Sequence, residues 1–576
     1  MQKQNLNLNL TKNIYIHILL FLFSFIVGAQ ELPPIENYSP KVYGAENQNW
    51  AISQSKEKFI YVANNSGLLE FDGAKWKLYP SPNNTIIRSV NVIDNKIYTG
   101  CFREFGYWEK NEFKNLEYHS LSNKLKEPLF EDEQFWNIVS FDSWILFQSL
   151  RNIYIYNTLD QTFRIINSAT QISKVFKVDD SIYFQKMDDG VYIIENGKPV
   201  LITNHPIIQK NFLVNIFSVN GKILFQTQER GFYFLNDENV TKWNITADNV
   251  ISSISVYSST QLNDGSFILG TISNGIYQLD KNGNIVLEID QKKGLNNNTV
   301  LSLYEDIEQN LWLGLDNGIS VVNLDSPFSV YDDITGNLGA VYAAAIYHDN
   351  LYIGTNQGLF YKKIGTDDNF NFINGTEGQV WCLKEYDNTL FCGHNSGTFV
   401  VKENSANLIV DALGTWDIIP IKNNSNLLLQ GHYNGLNVIE KINNTWQFRN
   451  EIEGFDIACR YFGFNSNDQI FVNHEYKGVF KLNVDNDFTK VTASLIDESA
   501  PKGLKSSLIN FHNNLLYTCE DGVFKYNDQL QQFIKDPLFS INLFAHDDFV
   551  TGKLIADNQE DMLWGFTENN IVYFSP

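Results

Sequence analysis

Two β-rich runs and a turn occupy the stretch Gly294-Leu-Asn-Asn-Asn-Thr-Val-Leu-Ser-Leu-Tyr-Glu-Asp-Ile-Glu-Gln-Asn-Leu-Trp-Leu-Gly-Leu-Asp-Asn-Gly318. Both runs are rich in the β-branched, aromatic and other apolar residues that suit a pleated, half-buried surface. Gly318 follows a short polar turn, and glycine tolerates the positive φ that a tight hairpin demands. The stretch therefore predicts a β-hairpin, with a third strand starting at Gly318.

The same pattern recurs along nearly the whole chain, at steps of about 38 to about 48 residues. This spacing is typical of β-propeller repeats. The predicted turn residues are Gly67, Gly106, Asn152, Gly190, Gly231, Gly275, Gly318, Gly358, Gly397, Gly435, Gly478, Gly522 and Asn570.

Each repeat is long enough for four antiparallel strands, which make one propeller blade. A lone blade cannot bury both of its faces, so neighbouring blades must stack around a ring. No sustained 3.6-residue apolar periodicity follows the first thirty residues, so we expect an all-β chain. A parallel β-solenoid is the main structural alternative, although it would need shorter coils and fewer hairpin turns.

Seven turn residues precede Asp332 and six follow it. We therefore expect two consecutive propellers, a seven-bladed one at about 45–335 and a second at 337–576 with about six blades visible. Six blades in an open arc would leave edge strands unpaired, which favours a second propeller that is incomplete at its C-terminus. The alternative is a ring that closes with six blades. The stretch from Asn37 to Tyr43 is a candidate for a closing outer strand.

The first 29 residues resemble a secretory signal peptide. Lys3 and Lys12 precede an apolar run, 14–27, which is short for a membrane span, and cleavage is expected after Ala29. The alternative is an uncleaved N-terminal anchor. We expect the mature chain to be periplasmic or secreted.

Charge and cysteine content limit the function classes. With 66 acidic and 43 basic residues the formal net charge is -23, so direct binding to nucleic acid is not expected. Five cysteines at irregular spacing do not make a disulfide framework. Cys382 and Cys392 fall on adjacent predicted strands, where they are either paired or, as we favour, two buried free thiols.

The stretch at 294–318 resembles the two-component-regulator propeller repeat, whose pattern is roughly GLxxNxVxxIxxDxxGxLWIGTxxGL. Residues 351–358 and 267–275 match its second half, and the other copies are degenerate. The resemblance covers about 45–576. It implies the periplasmic sensor region of a Bacteroidetes-type hybrid two-component or LuxR-type transcriptional regulator. In that family an immunoglobulin-like domain, a transmembrane helix and an output module follow the propellers.

Three consecutive predicted blades carry a histidine at the turn between the second and third strands. The same blades place aromatic or cationic residues at the start of the first strand. If they converge on one face, they suit a sugar or an anionic oligosaccharide, although another extracellular ligand is possible. The alternative is that the histidines make local turn hydrogen bonds and the aromatic residues pack between blades. The candidate ligand-binding residues are Trp381, His394, Trp416, His432, Arg460, Tyr461, His474 and Glu475.

Sequence signatures of catalysis are absent: there is no GxSxG, HExxH, P-loop or GxGxxG after a strand. We therefore expect neither enzymatic activity nor a cofactor or metal, and any kinase activity would lie outside this chain. The favoured hypothesis is a sensor, acting as a homodimer, that passes ligand binding to a membrane-linked output module. The alternatives are a stand-alone secreted binding or scaffold protein and a propeller enzyme acting on carbohydrate.

Overall fold

Two compact units, 31–332 and 333–576, make up the described chain, and they are called here the N-terminal and the C-terminal unit. The computed structural model describes residues 31–236, 239–331, 333, 336–366, 368–512, 514–537, 539–540, 549–557, 561–568 and 570–574. The signal peptide predicted at 1–29 lies outside these residues. None of the described helices is long and apolar enough to cross a membrane.

The described part of the N-terminal unit consists of strands with three short α-helices and two 3-10 helices. The α-helices are α1 (Pro40–Tyr43), α2 (Pro206–Lys210) and α3 (Asp248–Ile251), and the 3-10 helices are Ser122–Lys124 and Gln291–Lys293. The strands are β1 (Ile35–Tyr38), β2 (Asn49–Gln54), β3 (Ile60–Asn64), β4 (Gly67–Phe71), β5 (Trp76–Pro80), β6 (Ser89–Ile93), β7 (Lys96–Cys101), β8 (Glu104–Lys110), β9 (Leu116–Ser120), β10 (Asn137–Phe141), β11 (Trp144–Gln148), β12 (Asn152–Asn157), β13 (Phe163–Asn167), β14 (Ile172–Val178), β15 (Ser181–Lys186), β16 (Gly190–Glu195), β17 (Lys198–Thr203), β18 (Leu213–Val219), β19 (Lys222–Thr227), β20 (Gly231–Asn236), β21 (Asn239–Lys242), β22 (Val256–Gln261), β23 (Phe267–Thr271), β24 (Ile276–Leu279), β25 (Ile285–Ile289), β26 (Val300–Glu305), β27 (Asn310–Leu315) and β28 (Ile319–Asn323).

The C-terminal unit has the same construction. Its strands are β29 (Val341–Tyr347), β30 (Asn350–Thr355), β31 (Leu359–Lys363), β32 (Asn371–Phe372), β33 (Val380–Tyr386), β34 (Thr389–His394), β35 (Gly397–Lys402), β36 (Ser405–Val410), β37 (Asp417–Pro420), β38 (Leu427–His432), β39 (Gly435–Ile442), β40 (Thr445–Glu451), β41 (Tyr461–Phe464), β42 (Ile470–His474), β43 (Gly478–Val484), β44 (Val491–Asp497), β45 (Ser507–Phe511), β46 (Asn514–Cys519), β47 (Gly522–Asn527), β48 (Gln532–Lys535), β49 (Ile555–Asp557), β50 (Met562–Phe566) and β51 (Ile571–Phe574).

Consecutive strands pair antiparallel into four-stranded meanders, seven in the described part of the N-terminal unit and five in that of the C-terminal unit, where β49–β51 form a three-stranded sheet. In the N-terminal unit the first strands of successive sheets contact one another, and β26 returns to β2. The predicted all-β propeller of four-stranded blades is thereby confirmed, and the parallel solenoid is wrong. The blade numbers and domain limits of the whole protein stay predictions.

The N-terminal strand closes the ring of the N-terminal unit. Strand β1 pairs with β28 as the outer strand of the last sheet, with Asn37 opposite Ser320. The ring of Tyr38 lies 6.2 Å from that of Trp312 in the last sheet and 5.4 Å from that of Phe71 in the first. The closing strand expected at 37–43 therefore starts earlier, and residues from Pro40 onward form α1 instead.

The cores lie between neighbouring sheets, as ring stacking requires. One cluster joins Ile52 and Val62 of the first sheet to Trp312 and Ile319 of the last. Another joins Leu429 and Val438 to residues of the β41–β44 sheet. Outer strands such as β17 and β44 are largely exposed. Buried layers therefore alternate with sheets around each unit, so that each sheet is stabilised by its neighbours.

Most predicted turn glycines stand at the start of a third strand, and Gly67 shows why. Its φ is +147°, and a Cβ there would lie 2.2 Å from the carbonyl oxygen of Tyr79. Gly106 was predicted as a turn residue, but this prediction is wrong because it lies inside β8. Arg103, with φ of 50°, makes that turn. Gly106 is needed for close approach instead, since a Cβ would meet the His119 carbonyl oxygen at 2.2 Å.

All five cysteines are buried and unpaired. Cys382 lies opposite Gly393, and Cys392 lies opposite Leu383, the residue next to Cys382. Successive strand residues point to opposite faces of a sheet, so the two sulfur atoms lie on opposite faces. Free thiols, the favoured alternative, are therefore what the structure contains.

Candidate functional site

In many sheets the first strand has a β-bulge near its start, and this bulge changes the direction of one side chain. In the C-terminal unit the pairing with the second strand shifts between Val341 and Ala343 and between Val380 and Cys382, which leaves Tyr342 and Trp381 as the extra residues. Bulges bend a strand and re-aim a side chain. Trp416 holds the corresponding position before β37, where its N–H donates to the Gly431 carbonyl.

These bulge residues form an aromatic stack across three consecutive sheets. The rings of Tyr342 and Trp381 lie 5.1 Å apart at 29°, and those of Trp381 and Trp416 lie 4.7 Å apart at 37°. Tyr433 covers the stack from a hairpin turn: its hydroxyl accepts from the indole N–H of Trp381 at 3.1 Å, and its ring lies 5.2 Å from Trp416. Such offset and tilted contacts are favourable ring geometries.

Arg460 completes the stack on the fourth sheet. Its guanidinium carbon lies 5.0 Å from the ring centres of both Trp416 and Tyr461. The side chain is exposed, whereas Tyr461 is half-buried, and burial raises the pKa of the Tyr461 hydroxyl. A cation over aromatic rings is stabilised electrostatically and keeps its N–H groups free for a solvent-borne partner.

The charges around this stack are mainly positive. Lys384 lies 3.1 Å from Asp417, whose charge raises the pKa of the ammonium group. Lys553, from the segment before β49, interacts electrostatically with Arg460 and with this pair, and burial lowers the pKa of Lys553. Two ammonium groups therefore lie near the Asp417 carboxylate, and Arg460 interacts with one of them. This concentration of positive charge suits an anionic ligand.

The three predicted histidines have a common local role. In each, Nδ1 accepts the N–H of the residue two positions later: Ser396 to His394 at 3.1 Å, Asn434 to His432 at 3.3 Å, and Tyr476 to His474 at 3.3 Å. The side-chain oxygens of Asn64 and Thr355 do the same at the corresponding turns of other sheets. The imidazoles therefore act as turn acceptors, as short polar side chains commonly do.

Two of these histidines are almost fully buried. His394 Nε2 lies 3.2 Å from the Thr376 carbonyl oxygen. Burial lowers the pKa of both His394 and His432, as expected where an imidazolium would be desolvated. His474 and Glu475 are half-buried. In the part of the chain that the structure describes, no group of His, Cys, Asp and Glu residues is arranged to hold a metal ion.

The structure thus brings together Trp381, Trp416, Arg460 and Tyr461 of the predicted set. It adds residues that the sequence analysis missed: Tyr342, Tyr433, Lys384, Asp417 and Lys553. Tyr342 could have been found by aligning the repeats at the start of the first strand of each sheet, where an aromatic or basic residue recurs. The others carry no local signal, because they reach the stack only through the stacking of sheets.

Comparison with known proteins agrees with the repeat pattern. Residues 294–317 match the family described as "Two component regulator propeller". The chain is also similar to Histidine kinase P4 of Formosa agariphila, with 23% identity over 266 residues. This alignment covers 42% of the present chain but only 18% of the kinase, so the chain corresponds to a small part of that protein.

The fold is also that of a solved extracellular domain. The extracellular domain described as part of the hybrid two component system BT3049 of B. thetaiotaomicron superposes with a TM-score of 0.64 and 16% identity, covering 95% of this chain and 83% of that one. The extracellular domain of BT4673 from B. thetaiotaomicron gives 0.43 and 15%, with the same coverage. The family match at 294–317 and the fold shared with the BT3049 domain confirm that this chain resembles the two-component-regulator propeller proteins.

Proposed function

We propose that this chain is the ligand-sensing extracellular region of a signal-transduction protein and that its C-terminal unit binds an acidic oligosaccharide. The observation that carries the proposal is the stack of Tyr342, Trp381 and Trp416 with the exposed Arg460 against it. A saccharide carboxylate or sulfate would bind Arg460, and Tyr342, which is 39% exposed, would contact a sugar ring.

The remaining predicted residues support this surface in different ways. His394, His432 and His474 fix the hairpin turns, one of which carries Tyr433, the hydrogen-bond partner of Trp381. Glu475 interacts electrostatically with Tyr461 and would disfavour ligands that place negative charge beside it. In this proposal the histidines position the site, while Arg460 and the aromatic residues contact the ligand.

The chain would transmit a signal if the ligand binds two of its conformations with different affinities. A ligand changes a conformational equilibrium only by the difference in its affinities for the two states. We propose that the chain acts in a homodimer, is exported by a signal peptide, and is linked to a histidine kinase or LuxR-type output module outside this sequence. The similarity to Histidine kinase P4 and to the BT3049 extracellular domain supports this placement.

The proposed role is non-enzymatic. An acidic polysaccharide incubated with the purified chain is expected to yield no new reducing ends over many hours. Clear turnover would contradict the sensor proposal and favour a carbohydrate-active propeller enzyme instead.

Calorimetric titration with matched acidic and neutral oligosaccharides tests the binding site. Arg460→Gln is expected to weaken binding of the acidic ligand at least tenfold, since a charge-assisted contact contributes about 1.5–3 kcal/mol, and Trp416→Ala is expected to do the same. Tyr476→Ala is the matched control, because Tyr476 is an exposed aromatic residue on the turn that carries His474. Unchanged affinity in Arg460→Gln, with unchanged melting, would reject the site.

A further inference from the structure

A second cluster of aromatic and cationic side chains lies in the N-terminal unit. The guanidinium carbon of Arg88 lies 4.0 Å from the ring centre of Trp50 and 4.8 Å from that of Trp136. The two indole rings lie 6.0 Å apart, edge to face. Trp50, Arg88 and Trp136 come from three consecutive sheets. Because Trp50 of the first sheet contacts Trp136 of the third, the cluster lies where the first strand of each sheet approaches those of its neighbours.

The bulges of this unit explain the convergence. Pairing shifts between Asn49 and Ala51 in the first sheet, and Trp50 is the extra residue. Arg88 and Trp136 stand one residue before their strands and donate their backbone N–H to the Gly100 and Gln148 carbonyls, respectively. The bulge position therefore delivers a side chain to the same place on each sheet.

One further bulge residue belongs to the same region. The pairing of β22 shifts between Val256 and Ser258, at Tyr257. Tyr257 interacts electrostatically with Arg88 and is 40% exposed, so solvent reaches this region.

The nitrogen atoms of this cluster are hydrogen-bond donors, and two of them lack an acceptor. The Nε of Arg88 donates to Gln134 at 3.3 Å, and the indole N–H of Trp50 donates to Asn65 at 2.8 Å. Nη1 of Arg88 and Nε1 of Trp136 are buried and have no hydrogen-bond partner among the described residues. Guanidinium and indole N–H groups offer no lone pair, so a partner for them must be an acceptor.

The positive charge is also unbalanced. In a chain with 66 acidic and 43 basic residues, no carboxylate of the described residues forms an ion pair with Arg88. Burial lowers the pKa of the Arg88 guanidinium, which reflects the free-energy cost of holding a charge away from water. The rings of Trp50 and Trp136 contact the guanidinium but leave its Nη1 without a hydrogen-bond acceptor.

We propose that the cluster of Arg88 and Trp136 in the N-terminal unit binds an oxyanion, a carboxylate or a sulfate, through the unpartnered Nη1 of Arg88 and Nε1 of Trp136. Arg88 already contacts both indole rings, so the site recognises the anionic group rather than a stacked sugar ring. The proposal is independent of the proposed function, because it concerns other residues in another unit.

Titrations with sodium sulfate and with sodium acetate, each against sodium chloride at constant ionic strength, test the site on the full chain. Tryptophan fluorescence and calorimetry report binding, and the two salts separate the sulfate from the carboxylate. We expect saturation with at least one of them, and at least a tenfold loss of affinity in Arg88→Gln. Responses equal to that of chloride would overturn the proposal.

Matched variants keep the test decisive. Arg151→Gln is the control, since Arg151 is exposed and contacts Phe130 at 5.7 Å in the same unit; it should bind the anion as the unaltered chain does. Trp136→Phe removes the free N–H together with part of the ring but keeps an aromatic face against Arg88, and it should weaken binding even if Arg88→Gln fails to fold. Loss of anion binding in Arg460→Gln but not in Arg88→Gln would assign the anion to the C-terminal unit and overturn this proposal without affecting the other one.

Discussion

The hydrogen bond between Trp312 and Asp306 joins the two halves of the repeat that decides the fold. The indole N–H donates to Oδ2 of Asp306 at 2.8 Å, and the carboxylate also accepts the N–H groups of Glu308 and Asn310, both at 2.9 Å. Asp306 is only 4% exposed, so water cannot replace a lost donor. We predict that Trp312→Phe strongly destabilises the N-terminal unit.

The expected destabilisation is the sum of a lost hydrogen bond and of lost apolar burial. Removing a donor to a buried charged acceptor costs about 1.5–3 kcal/mol. The smaller phenyl ring also loses apolar burial worth about 1 kcal/mol, taking roughly 0.8 kcal/mol per CH2 group as the guide. The expected decrease in the free energy of unfolding is therefore about 2.5–4 kcal/mol.

Trp76→Phe is the matched control. Trp76 belongs to the same apolar cluster, stacks on Phe71 at 4.6 Å, and its Nε1 is buried with no hydrogen-bond partner among the described residues. This substitution should cost only the packing loss of about 1 kcal/mol. Urea denaturation of both variants, followed by tryptophan fluorescence and circular dichroism, measures the difference. Equal destabilisation by the two substitutions would refute the argument that the Asp306 bond stabilises the fold.

Three further predictions concern the turns, the histidines and the thiols. Gly67→Ala should destabilise the N-terminal unit by several times the effect of Gly44→Ala, because a Cβ at Gly67 meets backbone at 2.2 Å while none lies within 4 Å at Gly44; equal melting temperatures would contradict this. The pKa of His394 is lowered by burial, so the unfolded state takes up a proton first and stability should fall as the pH drops below about 6.5. His394→Asn, which keeps a turn acceptor, should lose part of that dependence in thermal melts, and an unchanged pH profile would argue against it. Burial raises the pKa of Cys382 to about 12, so Cys382 and Cys392 should react with thiol reagents only after unfolding and show no disulfide by intact mass; rapid labelling of the native chain would contradict this.

Much of the fold could be predicted from local sequence. The four-strand repeat follows from regularly spaced β-rich runs and from turn residues such as Gly67 and Gly318, both of which adopt positive φ. Gly106 was wrongly predicted as a turn residue because the sequence alone does not distinguish a glycine required by close backbone approach from one required by a turn. The start of the closing strand was missed because β1 pairs with a strand almost 300 residues later, Ile35 with Val322, and no local pattern encodes that pairing.

The candidate site was predictable only in part. Trp381, Trp416 and Arg460 were found because each starts a strand in consecutive repeats, and the structure places them in contact. The histidines of the same repeats show the limit of this reasoning. His394 binds its own turn, because a hydrogen bond to a neighbouring backbone N–H forms without any contribution from another sheet.

The sequence by itself determined the strands, the turns and the propeller class, since these depend on interactions between residues close in the chain. Only the tertiary structure decided which side chains meet at the centre of each unit. The cluster of Trp50, Arg88 and Trp136 depends on bulges that shift the register by one residue and on sheets that stack in sequence around a ring. A one-residue change in register turns a side chain to the other face of its sheet, so convergence at a centre is a property of the assembled ring.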